Sequence, residues 1–212
     1  MLTTLICAAF FPLPGSSYAG LPQLQTANNY RILSENVQLN IGSDDRLRIL
    51  STSVYRNIGD SVRAKITFAD GFLTSSFPGS KVIAKWDNQP IEFHQTFDSA
   101  GNSVATADVS LSKEATHSLK LILVARLARA GLGKDQFRFS YLLSGNHPID
   151  LFSLAYRYVP GSIFGLPTLK PDLGWEIGEK GAAIRKTDFT PSDEETSIEF
   201  YRNSMKPLGT GG

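Results

Sequence analysis

The chain has 212 residues, of which 42% are hydrophobic and 19% charged. That is enough apolar material for a packed core and excludes a disordered polyelectrolyte. The formal net charge is +1, so there is no overall Lys/Arg excess for nucleic acid, and long-range capture of an acidic polymer is not expected.

Residues 1–19, MLTTLICAAFFPLPGSSYA, carry no charged side chain. An apolar run from Leu5 to Leu13 breaks at Pro14-Gly15, and Ser17 and Ala19 precede Gly20 at the small-residue positions of a cleavage site. This predicts a secretory signal peptide removed between Ala19 and Gly20. The usual Lys or Arg at the start is missing; a buried strand is the alternative. The run is too short to span a bilayer, which needs about 20 apolar residues. No membrane span is expected in the mature chain. Cys7 is the only cysteine, and Thr4-Leu5-Ile6 before it makes a poor lipid-attachment motif. A mature chain without disulfides suits a bacterial periplasmic or secreted protein.

Period-two alternation dominates after Val37. In Arg46-Leu47-Arg48-Ile49 the odd positions are apolar; from Val62 to Phe68 the even ones are. Tyr55–Asp70 reads as a hairpin arm. Asn57-Ile58-Gly59-Asp60 forms its turn, Val62, Ala64, Ile66 and Phe68 point inward, and Arg63, Lys65 and Thr67 point to solvent. Lys81–Trp86 and Ile91–Phe97 flank a turn at Asp87-Asn88-Gln89-Pro90, and Val104–Leu111 follows a turn at 98–102. His117–Ala128 is the longest apolar run. Leu119–Ala130 admits a helix, but its ends are uncapped and both parities are apolar, which fits a buried central strand better. Gln136–Leu143, Leu151–Tyr158, Trp175–Ile177, Ala183–Arg185 and Ser197–Arg202 complete the strands. Ser112–Thr116 and Ser192–Glu195 suit single helical turns. The pattern predicts an all-β, immunoglobulin-like β-sandwich over 20–206, mostly antiparallel, with a flexible tail at 207–212. It forms one elongated domain, or two lobes divided near 128–135.

The chemistry-bearing residues are sparse. His94, His117 and His147 show no ligand spacing, so no metal is expected. Gly131-Leu132-Gly133-Lys134 lacks the phosphate-loop pattern, and no cofactor is expected. Gly161-Ser162-Ile163-Phe164-Gly165 misses the nucleophile-elbow spacing. Asp44-Asp45 and Asp193-Glu194-Glu195 read as solvated turns. His147 and Asp150, flanking Pro148, are the acid-base candidates. Leu151–Pro167 combines Phe152, Tyr156, Tyr158, Phe164 and Arg157, residue types enriched at binding hot spots. Leu154, Tyr156 and Tyr158 share a parity that also suits core packing. Arg157, Tyr158, Pro160 and Phe164 are therefore the partner-binding candidates, with 160–167 as the exposed loop.

Several landmarks resemble a family of uncharacterised exported bacterial β-rich proteins, known as a domain of unknown function. They are Val54-Tyr55-Arg56-Asn57 leading through Ile66-Thr67-Phe68, the corner Tyr158-Val159-Pro160-Gly161, and Phe189-Thr190-Pro191 followed by Ser197–Arg202. Departures are the spacing to glycine at the corner, the absence of a C-terminal cysteine and the shorter chain. The resemblance implies an exported β-fold and supplies no catalytic residue. Together these features predict a non-catalytic binding or assembly module of the bacterial envelope, with an envelope protein or surface polymer as partner. The alternative is a hydrolase of an envelope polymer that uses His147 and Asp150.

Overall fold

A computed structural model describes residues 17–42, 46–69, 81–97, 103–126, 136–143, 147–159, 163–191 and 194–202. The apolar leader run, Asp44-Asp45, the 128–135 boundary, Pro160 and the 207–212 tail lie outside the described residues. All regular structure among the described residues is strand, and no helix there is long and apolar enough to cross a membrane.

The strands are β1 (Ser17–Gly20), β2 (Gln23–Gln25), β3 (Tyr30–Ile41), β4 (Arg46–Asn57), β5 (Val62–Ala69), β6 (Lys81–Trp86), β7 (Gln89–Ile91) and β8 (His94–Phe97). They continue as β9 (Ser103–Leu111), β10 (Thr116–Arg126), β11 (Gln136–Leu143), β12 (Ile149–Tyr158), β13 (Ile163–Lys170), β14 (Glu176–Gly178), β15 (Gly181–Phe189) and β16 (Glu194–Arg202). An eight-stranded sheet runs β14-β15-β12-β3-β4-β10-β6-β7, and two four-stranded sheets run β1-β11-β16-β13 and β2-β5-β9-β8. Pairing is antiparallel except for β3 with β12 and β1 with β11.

This is an all-β sandwich. One apolar cluster draws on all three sheets: Leu39, Ile49, Leu119 and Tyr156 from the large one, Phe139 and Tyr141 from one small sheet, Ile66 and Ala105 from the other. Burial alternates as the sequence pattern predicts. Ala64, Ile66 and Phe68 of β5 are buried, and Lys65 is exposed. The Leu119–Leu123 run is strand because β10 lies between β4 and β6, paired on both edges.

Several expectations are revised. Asn57–Asp60 is not a hairpin turn, because β4 and β5 belong to different sheets. It is a corner between layers, held by the buried Asn57 side chain. Its Nδ2 donates to the carbonyls of Gly59, Asp60 and Ser112 at 3.1, 3.0 and 2.8 Å. The turn after β6 narrows to Asp87-Asn88, both at positive φ, and Gln89-Pro90 enters β7. Tight two-residue turns with both residues left-handed match strand twist. Proline is tolerated there because β7 is an edge strand. Ser112–Thr116 is a turn rather than a helical one. Residues 163–167 are not loop but the first part of β13, despite Gly165 and Pro167. β13 is also an edge strand, and its register against β16 shifts between Phe164 and Thr168, where a missing N–H disturbs the ladder least. β1 spans the expected cleavage junction, pairing Ser17 to Gly20 with Phe139 to Leu142.

Candidate functional site

The proposed acid-base pair is not assembled. His147 packs its ring on Tyr30 with centroids 4.3 Å apart. Asp150 receives Arg31 in a two-pronged contact of 2.9 and 3.1 Å. Tyr30 and Arg31 are successive residues of β3, whose side chains leave on opposite faces. The two candidates are therefore committed to opposite sides of the strand. Among the described residues no group of three His, Cys, Asp or Glu is placed to hold a metal ion.

His147 lies instead at the side of a partly open cavity of about 140 Å³, lined also by Leu21, Leu24, Tyr30, Ile149 and Glu35. Glu35 is 2% exposed. It faces inward on the parity it shares with Val37, Leu39 and Ile41, and the β3–β4 register slip between Ile32 and Ser34 brings the even-numbered Ile32 onto the same side. Ser51 Oγ donates to Glu35 Oε1 at 2.7 Å. Burial penalises its charge more than the serines favour it, pushing its pKa up to about 7. The parity shared with Val37, Leu39 and Ile41 was visible in the sequence, and the start of β3 upstream of Val37 was the signal missed.

The binding candidates separate as well. Arg157 is exposed on the outer face of β12, whereas Tyr158 is buried and donates its hydroxyl to the Gly178 carbonyl at 3.2 Å. Tyr158 thus belongs to the scaffold, as alternation along a strand requires. Phe164 has its backbone in the β13–β16 ladder opposite Tyr201.

Around Arg157 the outer face of the large sheet forms an open groove of about 830 Å³. Its floor includes Asn36 and Gln38 of β3 and Ser153 and Ala155 of β12, and the β14–β15 hairpin closes one side. The short side chains of Ser153, Ala155 and Ala183 leave the space. Gly181 lies opposite Arg157 in the ladder, so no side chain from β15 crowds that guanidinium. The groove offers amide, hydroxyl and guanidinium donors, with the carboxylates of Glu176 and Glu179 and the amine of Lys180 at its β14–β15 side, groups that can hold a polar ligand.

No protein-family model and no curated relative matches the chain. Solved structures share its fold. A proposed nutrient binding protein of Legionella pneumophila is 10% identical with a TM-score of 0.68, over 87% of this chain and 71% of that one. Yeast LTA4 hydrolase in complex with bestatin is 7% identical with a TM-score of 0.50, over 86% of this chain. The match spans only 31% of the hydrolase. At such identities the likeness describes architecture, and function has to be argued from the site.

Proposed function

We propose that this chain is an exported, non-catalytic binding module of the bacterial cell envelope, whose ligand or partner seats on the outer face of the eight-stranded sheet. The observation that carries this is the open groove around Arg157, with its floor of amides and small side chains. Supporting it are the leader-like residues 1–19 and the shared architecture with a Legionella pneumophila protein described as a nutrient binder. A rigid sheet suits this task, since its donors are positioned before the ligand arrives.

The test is photo-crosslinking in intact producing cells, with the crosslinking residue at position 157 and a control at Lys65, which is exposed on β5 in a different sheet. A discrete adduct at 157 and none at 65 is expected. No adduct at 157, or the same adduct at both, would overturn the proposal.

A further inference from the structure

A near-neutral chain conceals an uneven surface. Three consecutive rows of outward-facing residues cross the large sheet in register. The first is Glu176–Ala183–Ala155–Gln38–Leu50–Ile122–Ile83. On one side of it runs Gly178–Gly181–Arg157–Asn40–Arg48–Val124. On the other runs Arg185–Ser153–Asn36–Thr52–Lys120–Lys85–Pro90. The exposed cations Arg48, Lys85, Lys120, Arg157 and Arg185 thus share these rows with one carboxylate, Glu176. None of the five forms an ion pair among the described residues, although Lys120 Nζ donates to the neutral Asn88 Oδ1 at 2.9 Å. On the four-stranded sheet containing β5, by contrast, the exposed Lys65 stands directly opposite the exposed Asp108. Five exposed cations therefore meet on these three rows with a single carboxylate, and Glu179 and Lys180 of the β14–β15 turn add one charge of each sign at the groove.

We infer that this face binds a linear anionic polysaccharide, an inference that rests on the groove being the binding site proposed above. The charge calls for an anionic occupant, and guanidinium groups suit carboxylate or ester oxyanions through paired hydrogen bonds. Arg157 and Arg48 stand two strands apart, about 10 Å at the usual strand spacing, so anionic groups repeated along a chain can meet successive cations. Between the cations, Asn36, Gln38, Asn40, Thr52 and Ser153 offer the donors and acceptors that sugar hydroxyls require. The groove is open, which suits a polymer better than an enclosed small molecule. None of the three rows contains an aromatic residue, so the face lacks the stacking platforms by which single-stranded nucleic acids are held. Clustering of one charge sign raises the local concentration of an oppositely charged polymer even when net charge is near zero.

The purified full chain would be titrated with polygalacturonate, with neutral dextran and with a single-stranded oligonucleotide of matched charge. Saturable polygalacturonate binding that weakens with salt is expected, with none to dextran. The double variant Arg48→Glu, Arg157→Glu should bind at least about ten-fold more weakly, and Lys65→Glu should match the parent. If the double variant fails to fold, Arg157→Gln alone should still weaken binding measurably. No polygalacturonate binding, equal binding by the charge-reversed variant, or tighter binding of the oligonucleotide would overturn the inference. A crosslinked adduct at position 157 with no polygalacturonate binding would sink the polysaccharide while leaving the binding face intact. Loss of both would remove the face itself.

Discussion

Asn28 Nδ2 donates to Asn57 Oδ1 at 3.0 Å, tying the segment before β3 to the corner where the chain changes sheets. The same Asn57 oxygen accepts the Gly59 N–H at 3.3 Å, and its amide nitrogen serves three carbonyls. Asn57 is 1% exposed, so its own amide has no water to replace a lost partner. Asn57→Ala should cost about 2–4 kcal/mol. Asn57→Asp should cost as much despite its similar shape, because a carboxylate cannot donate to those carbonyls. Urea unfolding reads this as a lower midpoint at unchanged slope. A midpoint within error of the parent for both variants would show that the corner is held by other contacts.

The pKa of Glu35 predicts how stability depends on pH. It rises from the ordinary 4.5 to about 7 in the folded chain, so the folded state holds this proton more tightly than the unfolded one. Its contribution is full below pH 4.5, falls as pH rises toward 7 and is lost above that. The size of the loss is about 3 kcal/mol, an order-of-magnitude figure. Glu35→Gln keeps the shape without the titration. Its unfolding free energy should be flatter across this window than that of the parent. Parallel curves for the two proteins would rule out Glu35 as the source of the pH dependence.

Gly181 sits at φ +155°, and a Cβ there would overlap the Tyr156 carbonyl oxygen. Relief requires a backbone shift, since the obstructing atom is itself in the β12 ladder. Gly181→Ala should destabilise by about 2–4 kcal/mol. The damage should concentrate at the β14–β15 hairpin, which forms one wall of the groove. Hydrogen exchange at the Tyr158 amide, which donates to the Lys180 carbonyl at 3.2 Å, reports this locally. Unchanged protection and an unchanged melting temperature would mean that the ladder accommodates the methyl group.

Much of the fold was legible before any coordinates. Period-two alternation is a local consequence of strand geometry. It correctly placed Ala64, Ile66 and Phe68 in the core, matched the bounds of β6 and β11, and marked β10 as central through its two apolar parities. What alternation cannot carry is which strands become neighbours, since pairing joins residues far apart in the chain. Only the assembled sheets show that Asn57 turns between layers and that edge position lets a strand tolerate Pro167. The same holds for the register slip after Ile32, which puts Ile32 on the inner side with Glu35 although their parities differ. Arg157 was picked out from its aromatic neighbours, yet Phe152, Tyr156 and Tyr158 face the core. Its relevant companions, Arg48, Lys120 and Arg185, come from three other strands, and the sequence keeps them 28 to 109 residues away. Net charge is a sum over the chain and carries no record of position. The pairing of β15, β12, β3, β4, β10 and β6 is what gathers those cations onto one face.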